Sequence, residues 1–386
     1  MFGVSLVMLT NLNKYNVFVM KKMIKKYVNG FLYERRVLKN RYLDSVNDLN
    51  KSYPNLDTFV SNQQKTEIMD FWGKYLVGKY AKKYFDIRWF DVYNSVNNGD
   101  YDLRLYIPDG FYYCIVDTYF SNHEACYIMD DKNFYDLYFP EITRPKTIIR
   151  KESGCFFDAN WALLSLNEAL DKCSQNSKII IKPSISSCGG RGIDYWNPSE
   201  MNIDDLKIIL NQHDSVVVQE CVIPHKLFQK INKDCLSTLR IVTLLFEGQV
   251  HVVSSVIIMG GQGAKTNHLH SGGLVCGIHE NGKLKNKAYD GHGNSYEEHP
   301  NGVIFGETFI PGYHECVQYA KLLAPRMCRV TKLIGWDFTI GQNGEPMLIE
   351  ANLTWGGLCQ IANGPIFGEL TERVLNEVVS NSFLFK

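Results

Sequence analysis

The sequence predicts an α+β fold preceded by a helical N-terminal region. Three observations carry this. Short apolar, β-branched runs of strand length are spread over the chain from residue 179 onward, among them Ile179–Ile181, Val216–Val218, Leu239–Phe246 and Leu333–Ile340. Helical segments fall between them at irregular intervals, which does not describe a repeating βαβ unit. Residues 15 to about 90 mix lysine, tyrosine and leucine at helical spacing, as in Phe71 to Phe85.

Taken in order, the helical stretch is followed over residues 96–130 by what reads as a small α/β unit. Leu103-Arg104-Leu105-Tyr106-Ile107 and Tyr112-Tyr113-Cys114-Ile115-Val116 look like strands around an Asp109-Gly110 turn. Leu163 to Leu170 has helical spacing, and Met201 to Leu210 reads as a helix opening after Asn197-Pro198-Ser199. Leu239 to Phe246 and Val250 to Met259 form a hairpin around Glu247-Gly248. His314 to Ala324 is helical, Leu333 to Ile340 and Met347 to Ile349 are strands joined through Gly341-Gln342-Asn343-Gly344, and Leu370 to Val379 is a closing helix.

Composition narrows the function. With 45% hydrophobic and 21% charged residues the 386-residue chain can build more than one core and is not disordered. Its 41 basic and 41 acidic residues cancel, which gives no reason to expect nucleic acid. The eleven cysteines show no metal-ligand spacing and fit reduced cytoplasmic thiols. No run reaches the ~20 apolar residues of a spanning helix, and the apolar Phe2 to Leu9 precedes its basic residues, the wrong order for a secretory signal. Lys21, Lys22, Lys25, Lys26, Arg35, Arg36, Lys39 and Arg41 make a basic stretch that reads as a solvated helix face, with contact to the inner face of an anionic membrane as the alternative.

Two strings carry the chemistry. Ile179-Ile180-Ile181-Lys182-Pro183 ends an apolar strand on a lysine, and a buried ammonium needs an anion. The loop that follows holds Ser187, Gly189, Gly190, Arg191 and Gly192, which expose backbone N–H groups around a positive charge and suit phosphate. It is not a Walker pattern. Val216 to Val222, a strand leading into Glu220 and an apolar pair, can form a slot for adenine. The second string places Asp337 and Glu350 on two strands joined by a tight turn, with Asn352 on the face of Glu350. Two adjacent carboxylates and an amide oxygen suit Mg²⁺. Arg240, Lys265, Asn267, His268 and His270 form a polar segment fit for a carboxylate substrate, and Trp336 and Trp355 are expected around the site.

The ordered set Met129-Asp130-Asp131-Lys132-Asn133, Ile181-Lys182-Pro183, Gln219-Glu220, Ser237-Thr238-Leu239-Arg240-Ile241, Gly335-Trp336-Asp337 and Ile349-Glu350-Ala351-Asn352 resembles the ATP-grasp superfamily, most closely its sugar-transfer associated branch. The resemblance covers roughly residues 120–375. It implies two α+β lobes enclosing ATP, a small lobe over 131–235 with the phosphate loop and a large lobe over 236–386 with the Mg²⁺ site, after a helical region over 1–95. It implies Lys132 and Lys182 on the α and β phosphates, residues 187–192 closing over them, Glu220 and Val222 at the adenine and ribose edge, and Asp337, Glu350 and Asn352 holding Mg²⁺. Arg240 would face the γ-phosphate. The implied activity is carboxylate–amine ligation through an acyl phosphate, with a sugar-linked or other cell-surface precursor as the expected partner. A phosphotransferase on a hydroxyl or amide and a nucleotide-binding scaffold are the alternatives.

Overall fold

The computed structural model describes residues 36–54, 59–97, 99–185, 192–353 and 358–382. Two antiparallel sheets organise it. The smaller has six strands, β1 (Thr147–Glu152), β2 (Cys155–Asp158), β3 (Leu163–Leu164), β4 (Ile179–Pro183), β5 (Asp194–Trp196) and β6 (Val216–Glu220), in the order β3-β2-β1-β6-β4-β5. The larger has seven, β7 (Thr238–Phe246), β8 (Gln249–Met259), β9 (Leu274–Ile278), β10 (Leu284–Tyr289), β11 (Ser295–Tyr296), β14 (Leu333–Ile340) and β15 (Pro346–Asn352), in the order β11-β10-β9-β8-β7-β14-β15. A two-stranded pair, β12 (Glu298–His299) and β13 (Val303–Ile304), lies apart from them.

Alternation along the strands decides what each face does. On the small sheet Ile149, Ile179, Ile181, Val216 and Val218 pack beneath the helices Leu166–Ser174 and Ile203–Leu210. Both helices start on a capping box, from Ser165 with Glu168 and from Asn202 with Asp205. The opposite face carries Arg150, Val217 and Lys182 in one row across β1, β6 and β4. On the large sheet Leu239, Ile241, Trp336 and Phe338 join one core with the helix Tyr313–Leu323. The other face, from Val242, Leu244, Phe246 and Leu333, joins the N-terminal helices and the helix Thr371–Asn381 in a second core. The β7–β8 hairpin turns on Glu247 and Gly248, both with positive φ (49° and 75°), the pairing a tight two-residue hairpin requires.

The N-terminal region is helical over 36–52, Asn62–Gly73, Gly78–Tyr84 and Trp89–Asn97. The expected strands at 103–107 and 112–116 are corrected. Leu103–Leu105 is a 3-10 turn, and Asp109–Phe111, Tyr112–Val116 and Asp117–Phe120 run on as one helical segment, with a π turn over Tyr112–Val116. The α/β unit expected over 96–130 therefore holds no strand among the described residues. The reason is burial on every side: Ile107, Phe111, Tyr112, Cys114, Ile115 and Val116 are all inaccessible, so no polar stripe reveals the helical period. Leu163–Leu170 is likewise a strand pair followed by a helix that begins only after Ser165.

Of the basic stretch, Lys21, Lys22, Lys25, Lys26 and Arg35 lie outside the described residues. Arg41 is turned inward, its Nη1 2.7 Å from the fully buried Asp117 carboxylate, and so is not on a solvated face. Among the described residues no helix is long and apolar enough to cross a membrane, and the cysteines are free thiols.

Candidate active site

The site gathers residues from both sheets and from the Lys132 turn, and strand pairing builds its large-lobe half. Arg240 on β7 stands opposite Asp337 on β14, and Asp337 stands opposite Glu350 on β15. Three charged residues thus form a row across neighbouring strands. Arg240 grips Asp337 with both arms of its guanidinium, Nε to Oδ1 at 2.8 Å and Nη2 to Oδ2 at 2.7 Å. Asn352 donates from Nδ2 to Asp337 Oδ2 at 3.1 Å. Burial raises the Asp337 pKa, and Arg240 holds the rise back. Burial by itself would lower the pKa of Arg240, but the charge and hydrogen bonds of Asp337 outweigh it and the net shift is upward.

Lys132 crosses from the other side. The turn Lys132–Phe134 is capped by Asp131, whose carboxylate accepts from Asn133 N at 2.9 Å, and Lys132 N donates to Ser184 O at 2.9 Å, just beyond β4. The ammonium of Lys132 lies 2.8 Å from Glu350 Oε1. Tyr135, a turn later, accepts at its hydroxyl from Ala351 N at 3.3 Å, fastening this segment to β15.

Lys182 faces the same space from β4 and is 9% exposed. Its Nζ donates to Gln219 Oε1 at 3.2 Å, and among the described residues no carboxylate lies within ion-pair distance of it. Its pKa is pushed down to about 8, first by burial, then by the neighbouring charge of Lys132, with Glu350 opposing. Among the described residues Lys132, Lys182 and Arg240 gather beside Asp337 and Glu350, three cationic side chains with two carboxylates. Lys182 has no carboxylate of its own there, which suits an anion.

Of the residues expected at the site, Lys132, Lys182, Arg240, Asp337, Glu350 and Asn352 are brought together. Ser187, Gly189, Gly190, Arg191 and Trp355 lie outside the described residues. Gly192, at φ 73°, ends the loop, where a Cβ would lie 2.9 Å from the Pro183 ring. Glu220 is paired with Lys146 at 2.6 Å and falls on the strand face opposite Gln219. Gln219, which sequence reasoning gave no role, is the residue that reaches Lys182; counting by two along β6 from Val217 would have found it. Val222 is half-buried just past β6, and Lys265 is exposed. Asn267 spends its amide on Leu236 O (3.3 Å) and Thr238 Oγ1 (3.2 Å), which docks the 260–273 loop at the start of β7, two residues from Arg240. His268 is half-buried in that loop. Trp336 points away into the core and donates to Thr243 Oγ1 at 2.9 Å.

No curated protein sequence matches this chain. Among solved structures it is similar to D-alanyl-alanine synthetase A from Vibrio cholerae, at 17% identity over 68% of this chain and 67% of that one with a TM-score of 0.40. It is similar to an L-amino acid ligase from Bacillus licheniformis at 12% identity over 64% of this chain with a TM-score of 0.37, spanning 47% of that protein's length. The ATP-grasp ligase PsnB, solved with a precursor variant, Mg and ADP, is 14% identical over 67% of this chain and 61% of its own, with a TM-score of 0.38. The family model described as sugar-transfer associated ATP-grasp matches residues 117–376, which takes in both sheets and every charged residue of the cleft. The chain belongs to the sugar-transfer associated ATP-grasp family.

Proposed function

We propose that the protein is an ATP-dependent carboxylate–amine ligase that works through an acyl phosphate. One observation carries the reading. Two lysines from the small lobe, Lys132 and Lys182, converge on the Arg240–Asp337–Glu350 row of the large lobe, so that three cationic side chains stand beside two carboxylates. A polyphosphate suits that arrangement.

The donor set also fits a divalent cation. Asp337, Glu350 and the amide oxygen of Asn352 are hard oxygen ligands on facing strands, the kind Mg²⁺ takes together with phosphate oxygens and water. A carboxylate offers about four lone-pair sites, so Asp337 can keep Arg240 and still serve a metal. Bound there, Mg²⁺ would neutralise charge on the phosphates.

The chain's own residues do the rest. Lys132 and Lys182 hold the phosphates, and Gln219 fixes the direction of Lys182. Arg240, oriented by Asp337, offers positive charge where the carboxylate and the terminal phosphoryl group meet. A carboxylate oxygen attacks the γ-phosphorus, the bond from that phosphorus to the β–γ bridging oxygen breaks, and ADP leaves. An amine then attacks the acyl carbon, inorganic phosphate departs, and the amine proton passes to phosphate or solvent. No side chain acts as a nucleophile; alignment and exclusion of water carry the rate.

The acceptor belongs on the side of the N-terminal helices. Arg240 and Asp337 share a sheet face with Val242, Leu244 and Leu333, which those helices cover. The family description supports a sugar-linked or other cell-surface precursor as one substrate. Incubation with MgATP, a panel of carboxylates and hydroxylamine tests the reaction: a hydroxamate with one phosphate and one ADP per turnover is expected. ADP without free phosphate, with a phosphorylated acceptor, would make the protein a phosphotransferase instead.

A further inference from the structure

We propose that Arg150 is the positioning residue for Lys132, and that the loop over 158–162 exists to hold Arg150 in that task. The inference rests on the nucleotide role of Lys132 given above.

Arg150 stands on β1 in the row that continues through Val217 to Lys182, on the sheet face turned to the cleft. It is 2% exposed. Yet its guanidinium is committed to neighbouring backbone and one carboxylate. Nη1 donates to Asn133 O, one residue past Lys132. Nη2 donates to Asp136 Oδ2 at 2.6 Å and to Ala159 O at 3.0 Å. The turn that carries Lys132 is thus gripped at two points by one side chain, and a third tie, from Asn133 Nδ2 to Lys151 O at 3.2 Å, fastens it to the same strand.

The loop over 158–162 supplies the other half of the grip. Trp161 lies 4.9 Å from the guanidinium of Arg150 and stacks on Phe134 of the Lys132 turn, with ring centroids 4.7 Å apart and planes at 26°. To reach there it adopts φ 66°, a left-handed backbone conformation that is strained for a bulky residue. Asp158 stabilises the turn by accepting from Asn160 N (2.8 Å) and Ala162 N (2.9 Å). Strain is accepted here, and what it secures is an aromatic lid over Arg150 and Phe134. A planar fork with this set of acceptors cannot be replaced by a lysine, which keeps the charge but loses the geometry.

The test is a double-mutant cycle on MgADP affinity, read by calorimetry with the full chain: unsubstituted, Lys132→Met, Arg150→Lys, and both together. Arg150→Lys is expected to weaken MgADP binding by about tenfold or more, the scale on which supporting contacts act at tuned sites. In the Lys132→Met background the same change is expected to have no further effect. If Arg150→Lys fails to fold, Trp161→Leu in the same cycle makes the same prediction, since it removes the ring from a half-buried position. Additive losses, or no loss from Arg150→Lys, overturn the proposal while the nucleotide reading stands. No MgADP binding by the unsubstituted chain overturns both.

Discussion

Replacing Lys182 with methionine should make the protein more stable while it loses nucleotide. Lys182 is buried, with Gln219 as its hydrogen-bond partner, and burial pushes its pKa from the ordinary 10.5 down to about 8. At about 1.4 kcal/mol per pKa unit, holding the ammonium in the cleft at neutral pH costs the folded state about 3 kcal/mol. The sign follows from linkage. The unfolded chain keeps this proton up to 10.5 while the folded chain releases it near 8, so between these values the unfolded state binds more protons and stability rises with pH. Below pH 8 the penalty is present in full. Methionine fills much of the same volume without charge, at the loss of about 1 kcal/mol for the hydrogen bond. Urea denaturation of both proteins from pH 7 to 10.5 reads the difference directly, and buried thiols and phenols common to both cancel. Lys182→Met should be about 2 kcal/mol more stable at pH 7, with the gap closing as pH rises, and should bind MgADP far more weakly. A variant less stable at pH 7, or a gap that does not change with pH, would refute the reasoning.

Glu350→Gln keeps the β14–β15 pairing but removes a charge that both Lys132 and the expected metal use; turnover in the hydroxamate assay should fall by two orders of magnitude or more on the scale of lost charge stabilisation, about 100-fold, with an unchanged melting temperature to within a few degrees. Asp337→Ala leaves the Arg240 guanidinium without the carboxylate that grips it, so urea denaturation should show a loss of about 3–5 kcal/mol. Gln360 is fully buried and joins the helix Leu358–Asn363 to Ile107, accepting from its N–H at 3.0 Å and donating to its carbonyl at 2.8 Å. Gln360→Leu should cost about 1–3 kcal/mol by orphaning the Ile107 N–H, while the carbonyl keeps the Tyr93 hydroxyl at 2.9 Å; the loss should be seen as faster proteolysis of the N-terminal helices.

The parts of the architecture legible in the sequence are those where one face is buried and the other not. The β7–β8 hairpin and the β14–β15 pair announce themselves through alternation and Gly-containing turns, and the facing of Asp337 and Glu350 follows from them. The Tyr112–Val116 segment did not, because all of it but the half-buried Tyr113 is inaccessible and a buried apolar run has no period to read. The site divides in the same way. Residues whose role is local charge, such as Lys182, could be picked out from an apolar strand ending in a lysine. The distant partner that a charged residue meets could not. Arg41 meets Asp117 across 76 positions and Arg240 meets Asp337 across 97, and no local pattern encodes such pairs. Arg150 is the plainest case: its partners at 133, 136 and 159 lie on both sides of it in the chain, and only the fold gathers them.

Under the proposed function Lys182 and the Asp337–Glu350 pair serve one magnesium-bound nucleotide. Calorimetric titration of ADP with and without Mg²⁺ into the unsubstituted chain, Lys182→Met and Glu350→Gln tests it most directly. Mg²⁺ is expected to strengthen binding to the unsubstituted chain, Glu350→Gln to lose that gain while retaining metal-free binding, and Lys182→Met to lose both. Equal affinities in all three proteins, or a magnesium effect untouched by Glu350→Gln, would contradict it.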